Sequence, residues 1–437
     1  MPRNTSFLPQ HEPMRKYSSL QLLHDKVYGP FVFLNPTQAH FQHTYTSKDE
    51  FDGDRGMTSG LPSYDSEEAP PPDAALNQPA SNVAIKWTSR NNRKGRHALV
   101  VTPATAGSPH VIASIPRSSS NFHTILHNIW LMASYYPIWD ISWWVAYIFT
   151  WGSIIWVING FFSFLPYVAP STNFSNEVLT GGGVTAFIGA TIFEIGSIFL
   201  MIEAINENHE GCFGWAIERS YEALAVHDER EKQEPVFKIR PDKDGCLHHH
   251  QNKENLVGKP AGSTLSGEKT SQLVKEEEER SFRWFCSQEE LQTHYLHDLG
   301  FIACSAQMFG ASVFWISGFT ALPGINNVMS PGLLDGLYWT PQVIGGSGFI
   351  VSGILFMMET QKYWWQPALY TLGWHIGLWN LIGGLGFTLC PCFGYDTSHW
   401  SQYQASCSTF WGSWAFLIGS LIQLYESLEK NPVEVDN

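Results

Sequence analysis

Residues 189–203 read GATIFEIGSIFLMIE, residues 345–359 read GGSGFIVSGILFMME, and residues 412–426 read GSWAFLIGSLIQLYE. Laid over one another, all three open on two small residues, place a phenylalanine fifth, repeat two small residues at the eighth and ninth places, and end on a glutamate. Positions seven apart lie two turns along one helix face. In lipid no hydrophobic force draws helices together, so small residues on one face matter because they let backbones touch. Lining a pore or pocket is the alternative use of these glycines. The contact set is Gly189 and Gly196, Gly346 and Gly353, Gly412 and Gly419.

Working outward, six stretches are apolar and long enough to cross a bilayer: 141–166, 183–204, 299–322, 342–359, 369–390 and 408–428. The odd-numbered stretches repeat more loosely. Asp140, Gly152, Trp156 and Gly160-Phe161 match Asp298, Gly310, Phe314 and Gly318-Phe319, and Gly318-Phe319-Thr320 returns as Gly386-Phe387-Thr388. The offsets are 156 and 67 residues in the even set, 158 and 68 in the odd set. The expected fold is an all-α membrane protein of six transmembrane helices, built as three repeated two-helix hairpins. An interfacial helix and the first hairpin occupy 125–204, the second hairpin 298–360 and the third 361–428.

This small-x-x-Phe-x-x-small pattern in paired spans, with Gly-Phe-Thr-Leu near the end of the fifth, resembles the YrhK-like membrane domain and fungal-type multi-pass membrane proteins. The resemblance covers roughly 140–204 and 298–428. It implies an architecture and brings no mechanism, cofactor or substrate. The segment 205–297 then reads as an insertion between the first two hairpins.

The 437-residue chain carries a net charge of −14 and a mean hydropathy of −0.13, which taken alone describe a soluble acidic protein. The averages hide a mosaic: 1–139 and 205–297 are mostly polar, and the remainder is rich in Trp, Phe and Gly. An acidic chain without a basic tract gives no reason to expect nucleic acid as a partner; the expected partner is the lipid bilayer. Residues 1–30 hold no apolar stretch of signal-peptide length. Of the 26 Lys and Arg, twelve precede the first span, twelve lie in 205–297, and the others are Lys362 and Lys430. By the positive-inside rule both termini face the cytosol, in a membrane of the secretory pathway or the plasma membrane. The run from Lys86 to Arg117 has six basic residues and no acidic one, as suits a cytosolic flank.

The remaining segments give weaker signals. Residues 1–124 read as a disordered cytosolic tail, within which Leu61-Pro62-Ser63-Tyr64 resembles the LPxY motif bound by WW domains; an unread linker is the alternative. The 205–297 insertion reads as partly disordered, with Phe213, Ile217, Tyr221 and Leu224 at helical spacing as an interfacial helix. Cys246 beside His248, His249 and His250 lacks the fixed scaffold a metal site needs. Residues 429–437 are a short cytosolic tail. Asn173 opens a glycosylation sequon in the first lumenal loop. In the last lumenal loop a Cys392–Cys407 disulfide competes with free thiols.

Polar groups inside spans are the default functional residues of membrane proteins. Glu194, whose counterparts are Ile350 and Leu417, is grouped here with His375 and Asn380 as a midplane site; a buried protonated Glu hydrogen-bonded to a neighbour is the plainer reading. No metal-ligand set, phosphate loop or nucleophile motif supports catalysis or a cofactor. A membrane scaffold or regulator is favoured over a small-solute or cation transporter, and an enzyme ranks last. A second set is Asp140, Glu203, Asp298, Glu359 and Glu426, all at the cytosolic ends of spans. Asp at a helix start caps free N–H groups. Glu at a helix end faces the negative end of the dipole and needs a partner: either a separate one for each, such as an adjacent helix start or Lys362, or one cation held in a shared acidic ring.

Overall fold

The computed structural model describes residues 3–8, 11–14, 20–43, 83–101, 112–114, 117–207, 215–220, 236–241 and 283–435. Six of its helices are long and apolar enough to cross a membrane. They are α3 (Ile141–Val168), α4 (Gly183–Ile205), α5 (Leu299–Thr320), α6 (Thr340–Glu359), α7 (Leu372–Gly394) and α8 (His399–Leu428). Asp140 and Asp298 start α3 and α5 by accepting from the backbone N–H of Ser142 and Phe301. Ser398 does the same for α8 through Ser401, so that helix begins nine residues before the apolar stretch that signals it.

Each of these six helices packs against its neighbours in sequence, and α8 packs back onto α3, closing a ring of six. Lipid-type side chains face outward, among them Ile188 and Ile195 of α4, Val351 of α6, and Ile418 and Leu421 of α8. Every helix sends one aromatic ring to the axis. Trp156, Phe314 and Phe387 contact one another with centroids 4.8–5.7 Å apart. Phe193, Phe349 and Phe416 form a second triangle at 5.5–6.4 Å. The two triangles touch, as in Phe387–Phe416 at 5.2 Å, so the ring is filled by an aromatic plug. Such contacts add about 0.5–1.5 kcal/mol per pair beyond area burial.

The glycines make room for this plug and for close backbones. A Cβ on Gly152 would lie 2.6 Å from the Phe193 ring, and one on Gly189 would lie 2.9 Å from Trp156. Gly196 faces Phe149, Gly346 faces Thr388, and Gly412 faces Gly386 across the α7–α8 seam. At Gly353 the obstacle is backbone: Leu381 N at 2.7 Å and Gly377 O at 3.1 Å. Gly419 is looser, with side-chain atoms of Trp379 and Asn380 at 3.2 Å.

One end of the ring carries a cap of β-strands, so the described residues within 1–124 include ordered structure where disorder was expected. Strands β1 (Leu20–Leu22), β2 (Gln38–His43), β3 (Val83–Thr88) and β4 (Ala98–Val101) pair antiparallel in that order. The chain's last strand, β8 (Val433–Val435), then adds parallel to β4. Alternate residues point inward, so that Ala39, Phe41, Ile85, Trp87, Leu99, Val101 and Val433 share one small core. A second, three-stranded sheet joins β5 (Ile112–Ser114), β7 (Val236–Pro241) and β6 (Trp215–Ser220) in that order. Residues 215–220 are therefore strand where helix was expected, because pairing with β7 overrides the helical spacing. Phe213, Tyr221 and Leu224, the Leu61-Pro62-Ser63-Tyr64 motif, and Cys246 with His248–His250 lie outside the described residues. Between β5 and α3 in the chain, α2 (Phe122–Ser134) buries Asn128 and turns Phe122, Leu126, Ile129 and Trp130 outward.

The two glycine classes predict different tolerances. Gly353→Ala is expected to lower the yield of folded, detergent-extracted protein sharply, since two backbones must separate; overpacking costs about 1–3 kcal/mol. Gly419→Ala should be tolerated far better. Equal yields for the two would show that the α6–α7 backbone contact does not limit folding.

Candidate functional site

The capped mouth of the ring holds the densest set of buried charges. Glu203 and Glu426 lie in the last turns of α4 and α8, Glu359 ends α6, and all three are buried. Their partners come from the connection between β3 and β4. That connection contains α1 (Ser89–Arg93), whose start is fixed by Thr88 accepting from Asn91 N, and it turns back through Lys94, Gly95 and Arg96. Gly95 takes φ 59°, a left-handed turn that suits glycine.

Arg93 grips Glu359 with both arms of its guanidinium, Nη1 to Oε1 at 2.7 Å and Nη2 to Oε2 at 2.9 Å. Ser89 donates a third hydrogen bond to Glu359 at 2.9 Å. Arg90 grips Glu426 at 3.1 and 2.7 Å, and Arg96 donates to the same carboxylate at 3.2 Å. Glu203 accepts from Ser142 of α3 at 2.6 Å. Lys94 Nζ lies 3.6 Å from Glu203 and 3.9 Å from Glu426. Lys430, just beyond α8, pairs with Asp140 and donates to the Lys94 carbonyl. Arg93 and Glu359 have side chains 1% and 0% exposed, so neither charge is sustained by water. Burial opposes the charge of Arg93, and the Glu359 carboxylate outweighs it, leaving its pKa well above the ordinary value. Lys94 goes the other way: burial lowers its pKa despite the pull of Glu203.

The acidic set thus gathers at one end, and its cations are the chain's own. Glu203 follows the separate-partner expectation through Ser142, while Lys94 stands between Glu203 and Glu426 as a shared cation would. Lys362 takes no part; its ammonium lies 3.7 Å from the centre of the Tyr28 ring. Two glycines that the sequence reading passed over make the grip possible. A Cβ on Gly300 would collide with the Arg93 guanidinium and the Glu359 carboxylate, and one on Gly373 would lie 2.6 Å from Arg90 Nε.

Behind the charges, on the ring axis, is a cavity of ≈ 30 Å³. Its roof is Arg90, Arg93 and Lys94, its floor includes Phe193 and Phe416 of the plug, and its walls include Ser153, Gln307, Asn380, Ser420 and Gln423. About 10–15 Å³ suffices for one water, so the chamber suits one or two small species.

The midplane trio does not assemble. Of Glu194, His375 and Asn380, only Asn380 lines the chamber. Phe193 points to the axis, and a helical step of about 100° carries Glu194 to the α4–α5 seam, where it accepts from Ser312 at 2.9 Å. His375 bonds to the Leu369 carbonyl at the entrance to α7. Cys392 and Cys407 are free thiols: α7 runs on to Gly394 and α8 begins at His399, which places both cysteines inside helices rather than in a loop. Asn173 is exposed in the turn after α3, at the end opposite the cap. Among the described residues, no group of three His, Cys, Asp or Glu is placed to hold a metal ion.

A neighbouring contact ties the N-terminal residues to the insertion. His294 Nε2 meets Glu207 at 2.6 Å, its ring stacks on His11 at 4.4 Å, and Arg3 donates to Asn35 and to the Thr293 carbonyl. Burial, reinforced by Glu207 and Glu359, pushes Asp298 up to about 7.

Two predictions follow from these charges. Glu359→Gln strands Arg93 and should cost about 3–5 kcal/mol; adding Arg93→Met should recover part of the loss. Equal unfolding midpoints for the single and double variants would show that the pair is not its source. Asp298 binds its proton more tightly folded than unfolded, so stability falls as pH rises from the unfolded value of 3.8 to about 7. Asp298→Asn should flatten that part of the stability profile, and an unchanged slope would assign it elsewhere.

Comparison of the chain with protein-family models, with curated proteins and with solved structures gives no significant match.

Proposed function

We propose that this chain is a gated membrane protein held closed by its own cap, with a path for a small ion or solute along the ring axis. The observation that carries this reading is the coaxial order of cap charges, polar chamber and aromatic plug. Buried ion pairs are poor stabilisers compared with apolar packing of the same volume, whereas separating them is expensive. A charged latch therefore adds little as glue and much as a two-state element. Withdrawal of α1 would leave Glu203, Glu359 and Glu426 without Arg90, Arg93 and Lys94, so opening would require protons or cations to replace them.

The same reading takes the six spans as three repeated hairpins, since Phe193, Phe349 and Phe416, and likewise Glu203, Glu359 and Glu426, come from equivalent sequence positions. It keeps the YrhK-like resemblance as an architectural parallel. On the Lys and Arg distribution it sets the cap and both termini in the cytosol, in a secretory-pathway or plasma membrane. Asn173 would then be lumenal and open to glycosylation, and Leu61, Pro62 and Tyr64 would face cytosolic WW-domain proteins. A scaffold is the second reading, favoured by the solid aromatic core and the long polar segments.

The test is ion flux in reconstituted vesicles. Wild-type protein should be tight. Arg93→Ala with Glu359→Ala removes a pair without stranding a charge, and with Phe416→Ala also thins the plug; this variant should pass small monovalent ions. A folded variant that passes neither cations nor anions would end the gate reading and leave the scaffold.

A further inference from the structure

The chamber is unlike its surroundings in charge. Glu203, Glu359 and Glu426 surround the latch, yet no carboxylate lines the cavity. Arg90, Arg93 and Lys94 do, and two of their buried donors make no hydrogen bond: Arg93 Nε, and Lys94 Nζ, whose carboxylate neighbours Glu203 and Glu426 lie at 3.6 and 3.9 Å, beyond hydrogen-bond reach. An unpaired buried donor is costly, and a charged one more so. The walls offer the amides of Gln307, Asn380 and Gln423, which can turn N–H groups inward. Apolar rings close the floor, which keeps the local dielectric low and strengthens attraction to a negative charge. The volume of ≈ 30 Å³ suits one or two water-sized species.

We propose that the axial chamber is a binding site for a small monovalent inorganic anion of halide size, held by Lys94 Nζ and Arg93 Nε and completed by the amides of Asn380 and Gln423. Glu359 keeps both Nη donors of Arg93 and Glu426 keeps Arg90 and Arg96, so the anion leaves those hydrogen bonds in place. Bound, it ties α1 to α7 and α8 through donors that otherwise make no hydrogen bond. It thereby strengthens cap closure. This inference holds whether the ring gates a flux or serves as a scaffold, since it concerns the closed state alone.

The experiment uses the purified full chain in detergent at constant ionic strength, with chloride replaced stepwise by gluconate, which is too large for the chamber. The expected result is a saturable rise of the unfolding midpoint with chloride and with bromide. At about ten times the dissociation constant the folded-to-unfolded ratio should be about elevenfold higher than in gluconate. Asn380→Leu, which fills the chamber and leaves every latch residue in place, should stay folded and lose the response. Gln423→Met, with a similar volume and no amide, should weaken it. A midpoint indifferent to the exchange means that the chamber takes only water and overturns the proposal. So does an equal chloride response in wild type and both variants, which would place the effect on the protein surface.

Discussion

A buried charge must be matched by another, and the ring meets that requirement with residues it does not itself contain. Glu359 and Glu426 stand at the negative ends of their helices, where the dipole is adverse, inside a shell that excludes water. The guanidinium groups of Arg90 and Arg93, with Arg96 and Ser89 beside them, make those positions tenable. Cap and ring are therefore one thermodynamic object. The β3–β4 connection is short because it must deliver Arg90, Arg93 and Lys94 together, and Gly300 and Gly373 are bare because the arginines occupy the space of their side chains.

The aromatic plug works by the same complementarity in apolar terms. Gly152, Gly189 and Gly383 each lie under a ring of a neighbouring helix. Large and small residues interlock, and contact between the two sets replaces the hydrophobic drive that lipid does not supply. The chamber survives between plug and latch because Ser153, Gln307, Asn380 and Gln423 are polar and cannot close up as aliphatic side chains would.

The six long apolar helices were legible because their signal is local: apolar length, small-residue spacing and Asp caps. The three glutamates were legible as a problem, and the acid-free basic run from Lys86 to Arg117 was legible as a flank. Joining the two was out of reach, since Ser89 meets Glu359 across 270 residues and Arg90 meets Glu426 across 336. The cap sheet was hidden for a related reason. Its strands are three to six residues long, and the last comes from the far end of the chain. Glu194 misled because its neighbour Phe193 owns the axis; periodicity gives a face only once the packing partner is known.

The parallel pairing of β8 with β4 has a consequence for biogenesis. Leu99 waits for Val433, and Arg90 waits for Glu426. Domains tend to fold N-terminal first during synthesis, but this sheet cannot be completed until the sixth helix has left the ribosome. Until then Arg90 and Arg96 lack Glu426, and the cap sheet lacks its edge strand. A chain stopped before α8 therefore leaves Arg90 and Arg96 without the carboxylate that a complete one buries against them.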